Sequence, residues 1–110
     1  MEIINGLIAP HNLKHIERLN DKGLKIYPTD EGFYEHLSAF GVTLETLFKN
    51  PQHHAECYLC YYIAQEVTAY FTEYGKEIDD LTIITDGTGF YLSSVETDEE
   101  TKGEILELLS

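Results

Sequence analysis

The densest group of metal-ligating and nucleophilic side chains is the run His53-His54-Ala55-Glu56-Cys57-Tyr58-Leu59-Cys60. On a helix, His53, Cys57 and Cys60 stand at i, i+4 and i+7, so one imidazole and two thiols would share a face. Thiolate and imidazole suit zinc, with Glu56, His11 or His15 as a fourth donor. Structural zinc sites, however, draw paired cysteines from a turn where both sulfurs converge, and a mid-helix C-x-x-C has no second ligand pair here. Two small half-buried thiols beside solvent-facing histidines account for the residues more simply. A thioredoxin-like redox role is weaker still, because that motif belongs at a helix N-terminus after a strand. The expectation is no metal and no cofactor, with His53, Cys57 and Cys60 as the metal candidates.

Other groupings carry less. His11 and His15 repeat the i, i+4 spacing, but the glutamate of H-E-x-x-H is missing and Lys14 stands beside them. His36 has no partner that spacing can locate. Asp86-Gly87-Thr88-Gly89 superficially resembles a phosphate loop or an aspartic-protease Asp-Thr-Gly. No Lys-Thr pair or helix follows as a phosphate loop requires, and the protease chemistry needs two such aspartates. Ser38, Ser93, Ser94 and Ser110 lie in no G-x-S-x-G elbow. A binding protein is therefore expected rather than an enzyme.

Charge is the strongest global signal. The 110-residue chain has 20 acidic and 7 basic side chains, a formal charge of −13. Residues 1–25 set Glu2, Glu17 and Asp21 against Lys14, Arg18, Lys22 and Lys25, a net +1. Residues 26–110 hold the remaining seventeen carboxylates against Lys49, Lys76 and Lys102, a net −14. Such a field opposes compaction by self-repulsion, favours cationic partners and repels phosphate backbones, which argues against direct nucleic-acid binding. The expected partner surface comprises Glu73, Glu77, Asp79, Asp80, Asp86, Glu96, Asp98, Glu99, Glu100 and Glu104. Aromatic side chains such as Tyr58, Tyr61 or Tyr91 are expected to lie exposed beside it. Part of the run Glu96–Glu100 has a simpler role, since Thr97 and Glu100 fit a capping box and first-turn carboxylates complement a helix dipole.

These side chains must be positioned by a single domain over 1–110, the size of which allows a core without staples. Apolar content of 43% supports folding despite the charge. Met1-Glu2 lacks a basic leader and no apolar run reaches membrane-spanning length, so a cytoplasmic chain with free thiols is expected. Glu2–Ile8 is β-prone, with Asn5-Gly6 as a turn signal. Pro10 opens a helix carrying Leu13, Ile16 and Leu19 and stopped by Gly23. Leu24–Tyr27 alternates and meets Pro28, as a short strand would. Thr29 or Asp30 caps a helix with Phe33, Tyr34, Leu37 and Phe40 that ends at Gly41, and Thr43 caps another, with Val42 and Leu47 spaced as a hydrophobic staple.

Asn50-Pro51 starts the longest helix, about 51–74, whose stripe is Ala55, Leu59, Tyr62, Ile63, Val67, Tyr70, Phe71 and Tyr74. Cys57, Cys60, Tyr61 and Ala64 form a second, milder apolar face, compatible with burial in the domain or in a dimer. Segments 81–85 and 90–95 flank Asp86–Gly89 as a hairpin, and an acidic helix with Ile105, Leu106, Leu108 and Leu109 follows. The fold class is α+β, a small antiparallel sheet packed on a long central helix with several short helices.

Three functions fit. The leading one is an inhibitor that imitates nucleic acid, its carboxylates occupying phosphate sites of a basic enzyme. Phage and mobile-element proteins that block restriction enzymes, CRISPR effectors or DNA-repair glycosylases are similar in size and charge, a likeness of bulk properties that carries no residues over. The second is an immunity protein or antitoxin neutralising a cationic nuclease toxin. The third is a small metal-binding domain on the His53/Cys57/Cys60 helix.

Overall fold

The computed structural model describes residues 3–110. Its elements run α1 (Ile3–Leu7), α2 (Pro10–Asp21), α3 (Asp30–Ala39), α4 (Leu44–Lys49), α5 (Pro51–Glu73), β1 (Asp79–Thr85), β2 (Phe90–Glu96) and α6 (Glu99–Leu109). The class is α+β, with the antiparallel hairpin packed on the long α5. Helix starts follow local side-chain chemistry. Thr29 accepts a hydrogen bond from Gly32 N at 3.0 Å, Thr43 from Thr46 N at 3.2 Å, and Asn50 from His53 N at 3.3 Å. Each of these satisfies a first-turn amide that has no intrahelical acceptor. Pro10 and Pro51 occupy first-turn positions, and Gly23 and Gly75, at φ +111° and +80°, follow the ends of α2 and α5.

Two expected strands are absent. Residues 3–7 form a helix rather than a strand, because the carboxylate of Asp30 accepts hydrogen bonds from Ile3 N (3.0 Å) and Ile4 N (2.9 Å). Ile4 and Ile8, four residues apart, are both buried. Packing and a borrowed cap thus override β propensity in a segment too short to be helical alone. The expectation for Glu2 itself lies outside the described residues.

Residues 24–27 alternate in burial as a strand would, with Leu24 and Ile26 inside, yet have no ladder. The Asn20 carboxamide substitutes for a neighbouring strand: its oxygen accepts from Ile26 N (2.9 Å) and its nitrogen donates to Ile26 O (3.0 Å). Tyr27 N donates to the Tyr62 hydroxyl at 3.3 Å. The backbone groups are satisfied without a sheet.

One hydrophobic cluster takes residues from every helix and both strands. Along α5, Ala55, Tyr58, Leu59, Ile63, Val67 and Phe71 are buried, while Tyr62 and Tyr70 are half-buried and Tyr74 is exposed. Tyr58, expected outside, is inside. In the hairpin, Ile83 pairs with Leu92, Ile84 with Tyr91 and Thr85 with Phe90. Ile83 and Phe90 are buried, whereas Ile84 and Tyr91 form an exposed pair on the outer face. The hairpin is fastened at both ends. At its tip the Thr85 hydroxyl donates to Gly89 O (2.6 Å) and accepts from the buried Asn12 carboxamide of α2 (3.1 Å). At its base Thr97 donates to Glu77 O at 2.7 Å. With that hydroxyl engaged, the cap of α6 falls to Asp98, which accepts from Thr101 N at 2.7 Å, and not to Thr97 in a capping box.

Candidate functional site

The hairpin and α6 pack together, so the chain leaving β2 returns along the same end of the molecule at which β1 begins. Glu77, Asp79 and Asp80 enter this end from one side, and Glu96, Asp98, Glu99 and Glu100 leave it on the other; all are exposed. Asp79 lies directly opposite Glu96 in the ladder. Like charges facing one another across a strand pair are destabilising. Next to them the register slips between Asp79 and Thr82, and Asp80 adopts a left-handed φ of +53°. A bulge of this kind twists the strand and re-aims its side chains. Lys76 is half-buried beside this end, and its charge favours the ionised form of Asp98 in addition to the Thr101 hydrogen bonds.

The rest of the expected acidic surface divides. Asp86 sits at the hairpin tip, a seven-residue strand away from Asp79, roughly 20 Å along the sheet. Its carboxylate accepts from Thr88 N (2.9 Å) and the Thr88 hydroxyl (2.5 Å), and these bonds hold its pKa below the ordinary carboxylate value. Asp86 is thus a turn residue, remote from the others. Asp98, held low chiefly by its bonds to Thr101, is a helix cap that also lies within the acidic end. Glu104 is half-buried and lines a cleft of about 680 Å³ with Lys22 and Lys76. Glu73 is the last residue of α5 and exposed.

The positive charge of the N-terminal region has a structural use that spacing did not disclose. Arg18 donates to Ser110 O at 3.2 Å, and Lys22 Nζ donates to Leu108 O at 3.0 Å. Arg18 of α2 and Lys22, its C-cap, therefore meet the carbonyl end of α6, where the helix dipole is negative.

The metal candidates sit differently. Cys57 Sγ and His53 Nε2 are 3.6 Å apart, and both residues, with Cys60 and Glu56, line a groove of about 570 Å³ between α5 and β1. Among the described residues no three His, Cys, Asp or Glu side chains are placed to hold a metal ion together. Burial, then the charges of Cys57 and Glu56, pushes the Cys60 thiol up to about 12, and burial followed by Glu56 raises Cys57. Neither is a ready thiolate, the form that binds metal or attacks a disulfide. His15 packs edge-on against Phe90, and a Cβ on Gly89 would stand 3.0 Å from its Nε2, so His15 belongs to the hairpin contact while His11 is exposed.

His36, unpartnered in the sequence, lies within a ring cluster: Phe40 at 4.6 Å, Tyr58 at 5.5 Å and Tyr61 at 5.7 Å between centroids. Its Nδ1 is buried without a hydrogen-bond partner. Burial, and secondarily His54, holds its pKa below 6.5. No partner for His36 was legible in the sequence, because its ring neighbours depend on how α3 lies against Tyr58 and Tyr61 of α5.

No helix among the described residues is long and apolar enough to cross a membrane. No family model, curated protein or solved structure matches the chain.

Proposed function

We propose that the protein is a small acidic binding protein that docks a basic nucleic-acid-binding enzyme through the base of its hairpin and the start of α6, acting as an inhibitor. The observation that supports this reading is the Asp79–Glu96 pair and the exposed carboxylates around it, Glu77, Asp80, Glu99 and Glu100. A helix N-terminus accounts for Asp98, Glu99 and Glu100, but no fold requirement accounts for two carboxylates facing each other across a ladder. Their cost is offset when a cationic surface neutralises both. Asp86 is excluded from this surface by its position, and Glu104 by its lysine neighbours.

The test is binding of a panel of basic nucleases, glycosylases and CRISPR effectors to the immobilised protein, at low and high salt, with duplex DNA as competitor. The expected result is an enzyme retained at low salt, displaced by DNA, and lost when Asp79 and Asp80 are replaced by lysine. Retention of a single nuclease that comes from the same locus makes the protein an immunity protein or antitoxin. Equal binding by the Asp79→Lys/Asp80→Lys variant, or none by any enzyme, overturns the reading.

A further inference from the structure

A second site lies away from the acidic end, between α3 and α5. A cleft of about 390 Å³ is lined by Phe40, Tyr58, Tyr61 and Tyr62 together with Glu35 and Glu66. The size suits one small group, at the lower end of ligand cavities. Phe40 and Tyr61 stack edge-to-face at 5.2 Å and are 57% and 47% exposed, so aromatic surface is open to solvent although it lies beside the core. Tyr58 and Tyr62 continue the aromatic wall at 5.9 Å. Only His36 among the lining residues could carry positive charge, and burial, then His54, disfavours its charged form.

Aromatic faces combined with carboxylates and no competing cation select for charge sign and for hydration. Anions are repelled by Glu35 and Glu66, and a neutral apolar ligand gains nothing from them. A hard metal ion needs several converging oxygens, which the described residues do not offer. What fits is a weakly hydrated cation, attracted by ring quadrupoles and able to shed its water cheaply. We propose that this cleft binds a compact organic cation, an alkylated ammonium or guanidinium group, held against the rings of Phe40 and Tyr61 and balanced by Glu35 and Glu66. None of these residues belongs to the acidic end, so the site stands or falls independently of the function proposed above.

Three of the eight tyrosines, Tyr58, Tyr61 and Tyr62, line the cleft, so their assigned ring proton shifts report on it. The probes are choline, its neutral carbon isostere dimethylbutanol, and the capped amides of trimethyl-lysine and arginine. Saturable binding of a cation is expected, with the neutral isostere at least about fivefold weaker. Tyr61→Leu and the isosteric Glu66→Gln are each expected to weaken the cation at least about threefold, while Tyr74→Leu, in a different cleft, leaves it unchanged. A preference for the capped amides assigns the cation to a partner's side chain, and a preference for choline assigns it to a free small molecule. Equal affinity for choline and its isostere, no saturable binding of any cation, or full binding by both Tyr61→Leu and Glu66→Gln overturns the proposal.

Discussion

Asp79 and Glu96 face each other as cross-strand partners at the open end of the hairpin. Both are exposed, and nothing in the ladder needs two negative charges at this pair. Replacing Glu96 with lysine converts repulsion into attraction and is expected to stabilise the fold by about 0.2–1 kcal/mol in urea denaturation. The same substitution is expected to weaken binding of a cationic partner. Loss of stability together with unchanged binding would remove this pair from the interface.

Gly32 sits in α3, where alanine ordinarily gains about 1 kcal/mol. A Cβ here would come within 2.5 Å of the Tyr58 hydroxyl oxygen, and Tyr58 is buried. Gly32→Ala is therefore expected to destabilise. In a double-mutant cycle the penalty should shrink in a Tyr58→Phe background, since the hydroxyl is the atom in the way. An equal penalty in both backgrounds would locate the strain elsewhere.

His36 gives a signed pH dependence. Its folded pKa lies below the unfolded value of 6.5, because burial and then His54 disfavour the charged ring. The unfolded chain thus takes up the proton first, and the contribution of His36 is fully present above pH 6.5 and is lost as pH falls through and below it. Glu35 and Glu66 line the same cleft, and the carboxylates of the chain relieve self-repulsion as they protonate. The measurement is consequently a difference: urea stability of wild type minus His36→Gln, followed from pH 8 to pH 5.5. The difference is expected to move against wild type as pH falls, and a flat difference would contradict it.

Lys22 donates to Leu108 O and lies 3.4 Å from Ser110 O and 3.5 Å from Glu107 O. Lys22→Met keeps the aliphatic stem and removes the donors. A loss of about 0.5–2 kcal/mol is expected, greater at low salt than at high salt. A salt-independent loss would point to packing of the stem instead.

The two thiols are expected to be unreactive in the native state. At pH 8, alkylation of Cys60 should be at least about tenfold slower than in urea, with the exposed Cys57 reacting first. Protein equilibrated with zinc and desalted should retain no stoichiometric metal. One zinc per chain would reinstate the His53/Cys57/Cys60 helix as a metal site.

What was legible in the chain was local. Thr29, Thr43, Asn50-Pro51, Gly23 and Gly41 mark helix ends by chemistry that acts within three or four residues, and the structure places the ends there. The hairpin around Asp86–Gly89 is equally local. Misreadings arose where a distant group intervened. Asp30 caps a helix 26 residues upstream, Asn20 replaces a strand partner for Ile26, and Glu77 engages Thr97 so that Asp98 takes the cap. The acidic end was partly legible because most of its members are sequence neighbours. Asp86 was grouped with it, yet lies at the hairpin tip, because sequence distance does not show that β1 separates the two ends of a hairpin. The ring cluster around His36 depends wholly on how α3 meets α5, and periodicity carries no information on that.

The attachment of Arg18 and Lys22 to the carbonyl end of α6 bears on events before any contact is made. Negative charge gathers where α6 begins and positive charge where it ends, a separation of whole charges along the helix axis that is opposite in sense to the half-charges of the helix's own dipole. The molecule consequently carries a permanent dipole in addition to its net charge. In the field of a cationic body it experiences a torque as well as an attraction, and turns the base of its hairpin forward during diffusion. With the base of the hairpin as the docking surface proposed above, orientation is partly selected during approach, and fewer collisions are wasted on other faces.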